Sequence, residues 1–138
     1  MKKIAPTLIA IAALSVISTS ANAEWTLIDK GTGVSVYADK GTILRDGDRV
    51  IMSTLDDLEL PNKFRGGFYA STRWLEHYDC AKKKHRVISS TFYEKRMGKG
   101  AVVEEFGPTQ SWDEIHPDTA SEKMWKIACE KNESNPLK

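Results

Sequence analysis

Two cysteines have the most clearly defined chemistry in this sequence. Cys80 and Cys129 are the only cysteines of the 138-residue chain. They form no C-x-x-C motif, and their spacing identifies no histidine as the partner of a nucleophilic thiol. In an oxidising compartment two cysteines most simply form one disulfide, and closing a loop of this length stabilises a fold by about 4 kcal/mol. We therefore predict a structural Cys80–Cys129 disulfide, the alternatives being a catalytic cysteine or a pair of metal ligands.

The histidines and the paired acids form no recognisable catalytic or metal-binding motif. His77, His85 and His116 lack the i, i+4 spacing of a helical zinc site, although two of them could meet across strands. The neighbours in Asp56-Asp57 and in Glu104-Glu105 point to opposite faces of a strand, so neither pair is itself a two-carboxylate site. The acids are expected on solvated strand faces. The chain has no P-loop, dinucleotide fingerprint or G-x-S-x-G motif. We expect no enzyme activity, no cofactor and no metal.

A basic segment is the one unusual surface feature. Residues 82–99 carry a single acid, Glu94, and seven basic side chains: Lys82, Lys83, Lys84, Arg86, Lys95, Arg96 and Lys99. Residues 104–122 carry six acids and no lysine or arginine. Two solvated loop faces would explain this pattern. The functional hypothesis is a basic hairpin that contacts an acidic protein segment or an anionic glycan.

The first 23 residues have the parts of a secretory signal peptide. Lys2 and Lys3 precede an apolar run from Ile4 to Ile17, and Ala21-Asn22-Ala23 is an A-x-A cleavage site. The run is too short to span a membrane, and no later stretch is apolar enough. We predict cleavage between Ala23 and Glu24 and export to the periplasm, the cell surface or the medium of a Gram-negative bacterium. No cysteine lies near the cleavage site, so a lipid anchor is not expected.

The charge of the remaining chain is close to neutral. Its 20 lysines and arginines become 18 without Lys2 and Lys3, against 19 aspartates and glutamates. A globally basic nucleic-acid-binding protein is therefore not expected, and neither is a strongly acidic one. The length fits one domain over residues 24–131, followed by a polar tail over 132–138.

The elements that must position these residues are mostly strands. Short apolar segments alternate with turn signals up to residue 106, and Val34, Val36 and Ala38 lie on one side of an alternating strand. Asp46-Gly47-Asp48 predicts a hairpin turn, whereas 61–67 reads as a loop. Thr119 and Glu122 form a capping-box pattern before a helix that ends near Lys131. We predict an α+β fold, with one twisted antiparallel sheet of six or seven strands and a C-terminal helix packed on it. An exposed sheet edge would allow a homodimer.

A series of short motifs then makes a resemblance visible. They are Trp25 at the start, Tyr37-Ala38-Asp39, Ile43-Leu44-Arg45 leading to Val50, Tyr78-Asp79-Cys80 followed by Lys84 and Arg86, residues 98–103, Trp112 with Ile115-His116-Pro117, and a helix closing on Cys129. In this order, over about residues 25–129, they resemble the surface-adhesin protein E family of small exported bacterial domains. The resemblance implies an antiparallel sheet whose C-terminal helix is held by the disulfide, no catalysis, and adhesion to host matrix proteins.

Two functions follow as expectations. The first is an exported, non-enzymatic, adhesin-like binding protein that contacts protein or glycan partners through the basic hairpin. The second is a periplasmic accessory or inhibitor protein that acts on an enzyme of the cell envelope.

Overall fold

A computed structural model describes residues 22–109 and 111–131. Within these residues the fold has seven strands, one helix and a single 3-10 turn. They are β1 (Thr26–Gly31), β2 (Val34–Asp46), β3 (Arg49–Phe64), β4 (Gly67–Asp79), β5 (Lys84–Tyr93), the 3-10 turn Arg96–Gly98, β6 (Val102–Phe106), β7 (Asp113–Glu114) and α1 (Ala120–Cys129). The predicted signal peptide lies outside the described residues up to position 21, as does the tail over 132–138.

All strands belong to one antiparallel sheet. Its order is β1-β2-β3-β4-β5-β6, and β7 pairs with the first residues of β5. Each neighbouring pair is antiparallel, so the predicted fold class is confirmed. Because side chains alternate along a strand, the sheet has two distinct faces. We call the face that carries Val36, Ala38 and Met52 the helix face, and the opposite one the outer face.

The β2–β3 hairpin forms at the predicted turn. Asp46 pairs with Arg49, and Gly47 takes a φ of 59°, a left-handed conformation that glycine adopts at little cost. The Asp-Gly signal was therefore sufficient to locate this connection.

The predicted loop over residues 61–67 is wrong. Strand β3 continues to Phe64, and a tight turn at Arg65 and Gly66 leads directly into β4. Pro61 is tolerated in this strand because the partner strand β2 begins at Val34, opposite Leu58, so β3 has no neighbour on that side beyond this point. Proline lacks an N–H and is confined to such edge positions.

Helix α1 packs on the helix face and covers the main core. Its N-cap is Thr119, whose hydroxyl accepts the backbone N–H of Glu122 at 3.1 Å, as the capping pattern predicted. The disulfide Cys80–Cys129 joins the end of β4 to the last residue of the helix, which confirms that prediction. The core between sheet and helix consists of Ala38, Val50, Met52, Tyr78, Ile115, Met124 and Ala128.

A smaller packed region lies on the outer face. The turn Arg96–Gly98 folds back over the sheet there, so that Gly98 lies against Leu55, which is fully buried. Within the described part of the chain, no helix is both long enough and apolar enough to cross a membrane.

Candidate functional site

The basic segment over residues 82–99 does not form a hairpin. It consists of the β4–β5 turn, the whole of β5 and the β5–β6 connection. The basic residues therefore fall into two groups at opposite ends of the ten-residue strand β5, about 30 Å apart at the usual rise per residue. The first group is Lys82, Lys83, Lys84 and Arg86, and the second is Lys95, Arg96 and Lys99. At that distance their charges are screened from each other at physiological salt. The hypothesis of one basic hairpin is corrected by this topology.

Two basic side chains of the first group have partners within the protein. Lys83 reaches the Glu122 carboxylate at 2.5 Å and lies 5.4 Å from the ring centre of Trp125, so it fastens α1 to the β4–β5 turn. Arg86 donates to His77 Nδ1 at 3.3 Å. The remaining members, Lys82 and Lys84, have no ion pair among the described residues.

Arg96 in the second group also has a structural partner. Its guanidinium donates twice to the Asp57 carboxylate, at 2.6 and 2.9 Å, and the backbone N–H of Met97 donates to the other oxygen of Asp57 at 2.7 Å. The Asp57 side chain is only 1% exposed. Asp56 and Asp57 do point to opposite faces, but Asp57 is a buried partner of the 96–98 turn, not a solvated strand residue. In this group Lys95 and Lys99 are exposed.

Part of the acidic segment lies directly beside the first basic group, whereas Glu104 and Glu105 lie in β6 at the other end of β5. In β7, Asp113 and Glu114 pair with His85 and Lys84, and Glu122 takes up the charge of Lys83. Charges that are separated along the sequence are thus brought together by the fold. This arrangement compensates the charge of Lys83 and puts an acid opposite Lys84, whereas Arg86 has no acidic partner among the described residues.

A tryptophan with two arginines marks the outer face at that same end. The guanidinium carbons of Arg49 and Arg86 lie 4.4 and 4.7 Å from the ring centre of Trp112, within cation–π distance, and the His77 ring centre lies at 5.0 Å. Strand pairing puts these groups on one face. Arg49 lies two positions before Ile51 in β3 and therefore on the same face, Ile51 is opposite His77 of β4, and His77 is opposite Arg86 of β5. Burial, and then the charges of Arg86 and Arg49, lower the pKa of His77 below 6.5. The neutral ring can therefore accept the hydrogen bond from Arg86.

The centre of the outer face is an open groove. Ser53, Leu75, Ser89 and Thr91 line it between Trp112 and the 96–98 turn. At the far end Arg73 lies 5.9 Å from the ring centre of Trp25, and both line one depression with Tyr93 and Lys99. We call this surface, from Trp112 to Lys99, the outer-face groove.

Three acids of the same face are almost fully buried and bonded within the protein. Asp39 accepts the backbone N–H of Gly41, and Asp57 holds Arg96. Asp79 is 3.2 Å from Arg49 and accepts the backbone N–H of Lys82, which lowers its pKa below 3.8. Three further acids lie on this face by strand register and are exposed: Asp46 opposite Arg49, Glu105 opposite Thr91 and Glu114 opposite Lys84. The groove itself is lined by arginine, lysine and uncharged side chains, and these acids lie at its borders.

The sequence analysis missed Arg49 and Arg73 because neither lies in the basic segment. Arg49 lies in β3 and Arg73 in β4, at positions whose side chains point to the outer face. They share this face with Arg86 because of the register in which β3, β4 and β5 pair. The basic segment contributes Lys84 and Arg86 to one end of the groove and Lys99 to the other.

Comparisons with known proteins agree on the fold. The family profile described as surface-adhesin protein E matches residues 25–130. A solved structure of Haemophilus influenzae protein E has a TM-score of 0.60 at 18% identity and covers 80% of this chain and 87% of that chain. Crystal form II of the same protein has a TM-score of 0.58 at 18% identity, covering 74% and 91% respectively. No curated protein sequence matches the chain.

Proposed function

The chain belongs to the surface-adhesin protein E family, and from this premise we propose that it is an exported, non-enzymatic binding protein that holds an anionic partner in the outer-face groove. The observation that carries the proposal is the pairing of arginines with tryptophans at both ends of the groove, Arg49 and Arg86 at Trp112 and Arg73 at Trp25. Arg49 is already paired with Asp79, whereas Arg73 and Arg86 have no ion pair among the described residues, so their guanidinium groups are available to an anion.

The chemistry of the groove favours carboxylate or sulfate groups. Guanidinium binds such groups through two parallel hydrogen bonds, and a tryptophan face beneath it orients the fork. An extended partner could contact both ends of the groove at once, because Arg73 and His77, the residue opposite Arg86, are four positions apart in β4, about 13 Å at the usual rise per residue. An acidic protein segment and an anionic glycan both meet this requirement. Adhesion to host matrix proteins is the use that the family relationship suggests.

A rigid sheet is well suited to this task. The groove is built on three hydrogen-bonded strands, β3 to β5, so its arginines are already positioned before a partner arrives. Preorganisation of this kind lowers the entropic cost of binding. Export through cleavage between Ala23 and Glu24, which we also propose, would leave Trp25 as the second residue of the mature chain beside Arg73.

A solid-phase binding assay tests the proposal. The probes are immobilised heparin, as a sulfated glycan, and an immobilised poly-glutamate peptide, as an acidic protein segment. The test variant carries Arg73→Glu and Lys99→Glu, which share one depression of the groove. The matched control carries Lys40→Glu and Lys131→Glu, which line a separate depression near the C-terminal end of α1. Both variants change the net charge equally.

We expect the groove variant to lose at least about tenfold in affinity for one of the probes, and the control to stay within about twofold of the wild type. Equal losses in both variants would mean that net charge alone governs binding. That result, or an unchanged groove variant, would overturn the proposal.

A further inference from the structure

A pocket on the helix face lies away from the outer-face groove. It has a volume of about 380 Å³ and sits between the sheet and the first turn of α1. Its walls are largely apolar, with Val34, Val36 and Val87 on the sheet and Met124 on the helix. A volume of this size, lined mainly by apolar side chains with a few polar groups, is typical of sites for small molecules.

The titratable groups of the pocket are two acids and one histidine. Asp56 and Glu76 lie on neighbouring strands, and His85 lies on the next strand, opposite Tyr78. Neither lysine nor arginine is among the residues that line this pocket. Even with His85 protonated, the two carboxylates leave an excess of one negative charge.

Each carboxylate is fixed by one neighbour and keeps further capacity to accept hydrogen bonds. Asp56 accepts the indole N–H of Trp74 at 3.1 Å, and Glu76 accepts the hydroxyl of Tyr78. A carboxylate can accept about four hydrogen bonds. Burial, and to a smaller extent the charge of Glu76, raises the pKa of Asp56 above 3.8. The acids therefore lack a full counter-charge in their present surroundings.

His85 has an unsatisfied atom at the same place. Its Nδ1 is inaccessible to solvent and has no hydrogen-bond partner, because the nearest Glu76 oxygen is 3.7 Å away. Buried polar atoms without partners are rare in folded proteins and call for an explanation. An additional polar group in the pocket could complete the hydrogen bonding of Glu76 and His85.

We propose that this pocket binds a small organic monocation, an ammonium group carrying a short apolar body. The ammonium group donates up to three hydrogen bonds to the carboxylates that line the pocket, and its single charge balances the pocket when His85 is protonated. The apolar body occupies the space between the valines and Met124. A metal ion fits less well, since no three ligand-type side chains converge anywhere in the described residues.

A calorimetric titration with matched probes tests this inference. The probe is n-hexylammonium, and its comparison compounds are n-hexanol and hexanoate, which share the apolar chain but not the positive charge. We expect the ammonium compound to bind at least about tenfold more tightly than the alcohol, and the carboxylate not to bind, because the charged hydrogen bonds are available only to the cation. Equal binding of cation and alcohol would overturn the inference.

Isosteric variants locate the site. Asp56→Asn and Glu76→Gln keep an oxygen that can accept the Trp74 and Tyr78 hydrogen bonds, so the fold should be retained, as the unfolding midpoint of each variant would verify. Each should weaken n-hexylammonium binding by at least about fivefold. Glu105→Gln on the edge strand β6 is the matched control and should bind like the wild type. If both pocket variants bind like this control, the cation binds elsewhere and the inference fails.

The titration of His85, followed by NMR, provides an independent readout. Glu76 raises the pKa of His85 above 6.5, burial partly opposes this, and Asp113 adds a smaller upward effect. The ring also stacks at 6.2 Å on Tyr78, whose own pKa is raised well above 10.0 by burial, so Tyr78 stays neutral. A bound cation repels the imidazolium, so saturating n-hexylammonium should lower the pKa of His85. An unchanged pKa at saturation would contradict binding in this pocket.

Discussion

The buried carboxylate of Asp57 holds the 96–98 turn against the outer face of the sheet. Asp57 is on the outer face of β3, and it accepts hydrogen bonds from both Arg96 and the backbone of Met97. Ser71 completes the attachment, because its hydroxyl donates to the carbonyl of Lys95 and accepts the N–H of Gly98. These bonds hold the 96–98 turn over Leu55, and they set the position of Lys95 and Lys99 at the end of the groove.

Removing either partner of the Asp57–Arg96 pair should have unequal consequences. Arg96→Met leaves a charged carboxylate with little access to water, and we expect it to lower the free energy of unfolding by about 2 to 3 kcal/mol. Asp57→Asn is neutral and can still accept the Met97 N–H, so we expect a smaller loss of about 1 to 2 kcal/mol. Urea unfolding measures both.

Lys99→Met is the control for the loss of one positive charge from the same turn. This exposed side chain has no ion pair in the described part of the chain, so its removal should cost less than about 0.5 kcal/mol. If Arg96→Met lowers the free energy of unfolding no more than this control does, the buried Asp57 carboxylate does not depend on the Arg96 guanidinium.

At the scale of elements, α1 depends on its attachments to the sheet. A helix of ten residues is too short to be stable alone. Trp125 donates its indole N–H to the carbonyl of Asp79 at 3.1 Å, and Lys123 pairs with Asp29 of β1. Arg45 donates to the carbonyls of Ala128 and Glu130, which satisfies acceptors that the end of a helix leaves free. The disulfide adds a covalent link at the same end.

Loss of the disulfide should cost more than any of these contacts. The bridge spans a sequence separation of 49 residues, and the chain-entropy model assigns about 4 kcal/mol to a loop of that length. We expect Cys80→Ser combined with Cys129→Ser to lower the free energy of unfolding by that amount in a denaturant titration. Reduction of the wild type should have the same effect, and a reducing agent should leave the double variant unchanged. A denaturation midpoint that hardly moves would show that the helix attachments alone suffice.

The sequence predicts those elements of this fold that depend on local signals. Gly47 and Thr119 mark a turn and a helix start through their own conformation and hydrogen bonds, and both are found where expected. The continuation of β3 through Pro61 depends instead on where β2 begins, which is a property of the assembled sheet. Strand β7 has only two residues and owes its existence to pairing with β5.

The candidate site was less predictable for the same reason. Arg49, Arg73 and Arg86 come from three strands, and a reading of consecutive residues cannot bring them onto one surface. The basic segment drew attention to Lys83 and Arg96, which turn out to hold structural elements in place. The family relationship indicates the fold. The outer-face groove as the candidate binding surface follows instead from the strand register.

The two faces of the sheet differ in the charged groups that they offer to a ligand. The outer face carries Arg73 and Arg86, which have no ion pair among the described residues, whereas the pocket on the helix face is lined by two acids and by no lysine or arginine. A chain that is almost neutral overall can in this way offer a basic and an acidic surface at once. Adhesion through the outer face would require that this face be reachable from outside the cell.

Protease treatment of intact cells tests that requirement. A compact disulfide-linked sheet resists general proteases, so a recognition site for a sequence-specific protease is inserted between Gly107 and Pro108, in an exposed segment after β6. We expect cleavage of this protein in intact cells while a periplasmic marker carrying the same site stays whole. Cleavage only after the outer membrane is permeabilised would locate the protein in the periplasm. It would contradict an adhesive role and favour an accessory or inhibitor protein of an envelope enzyme, for which a periplasmic pull-down should recover one dominant partner.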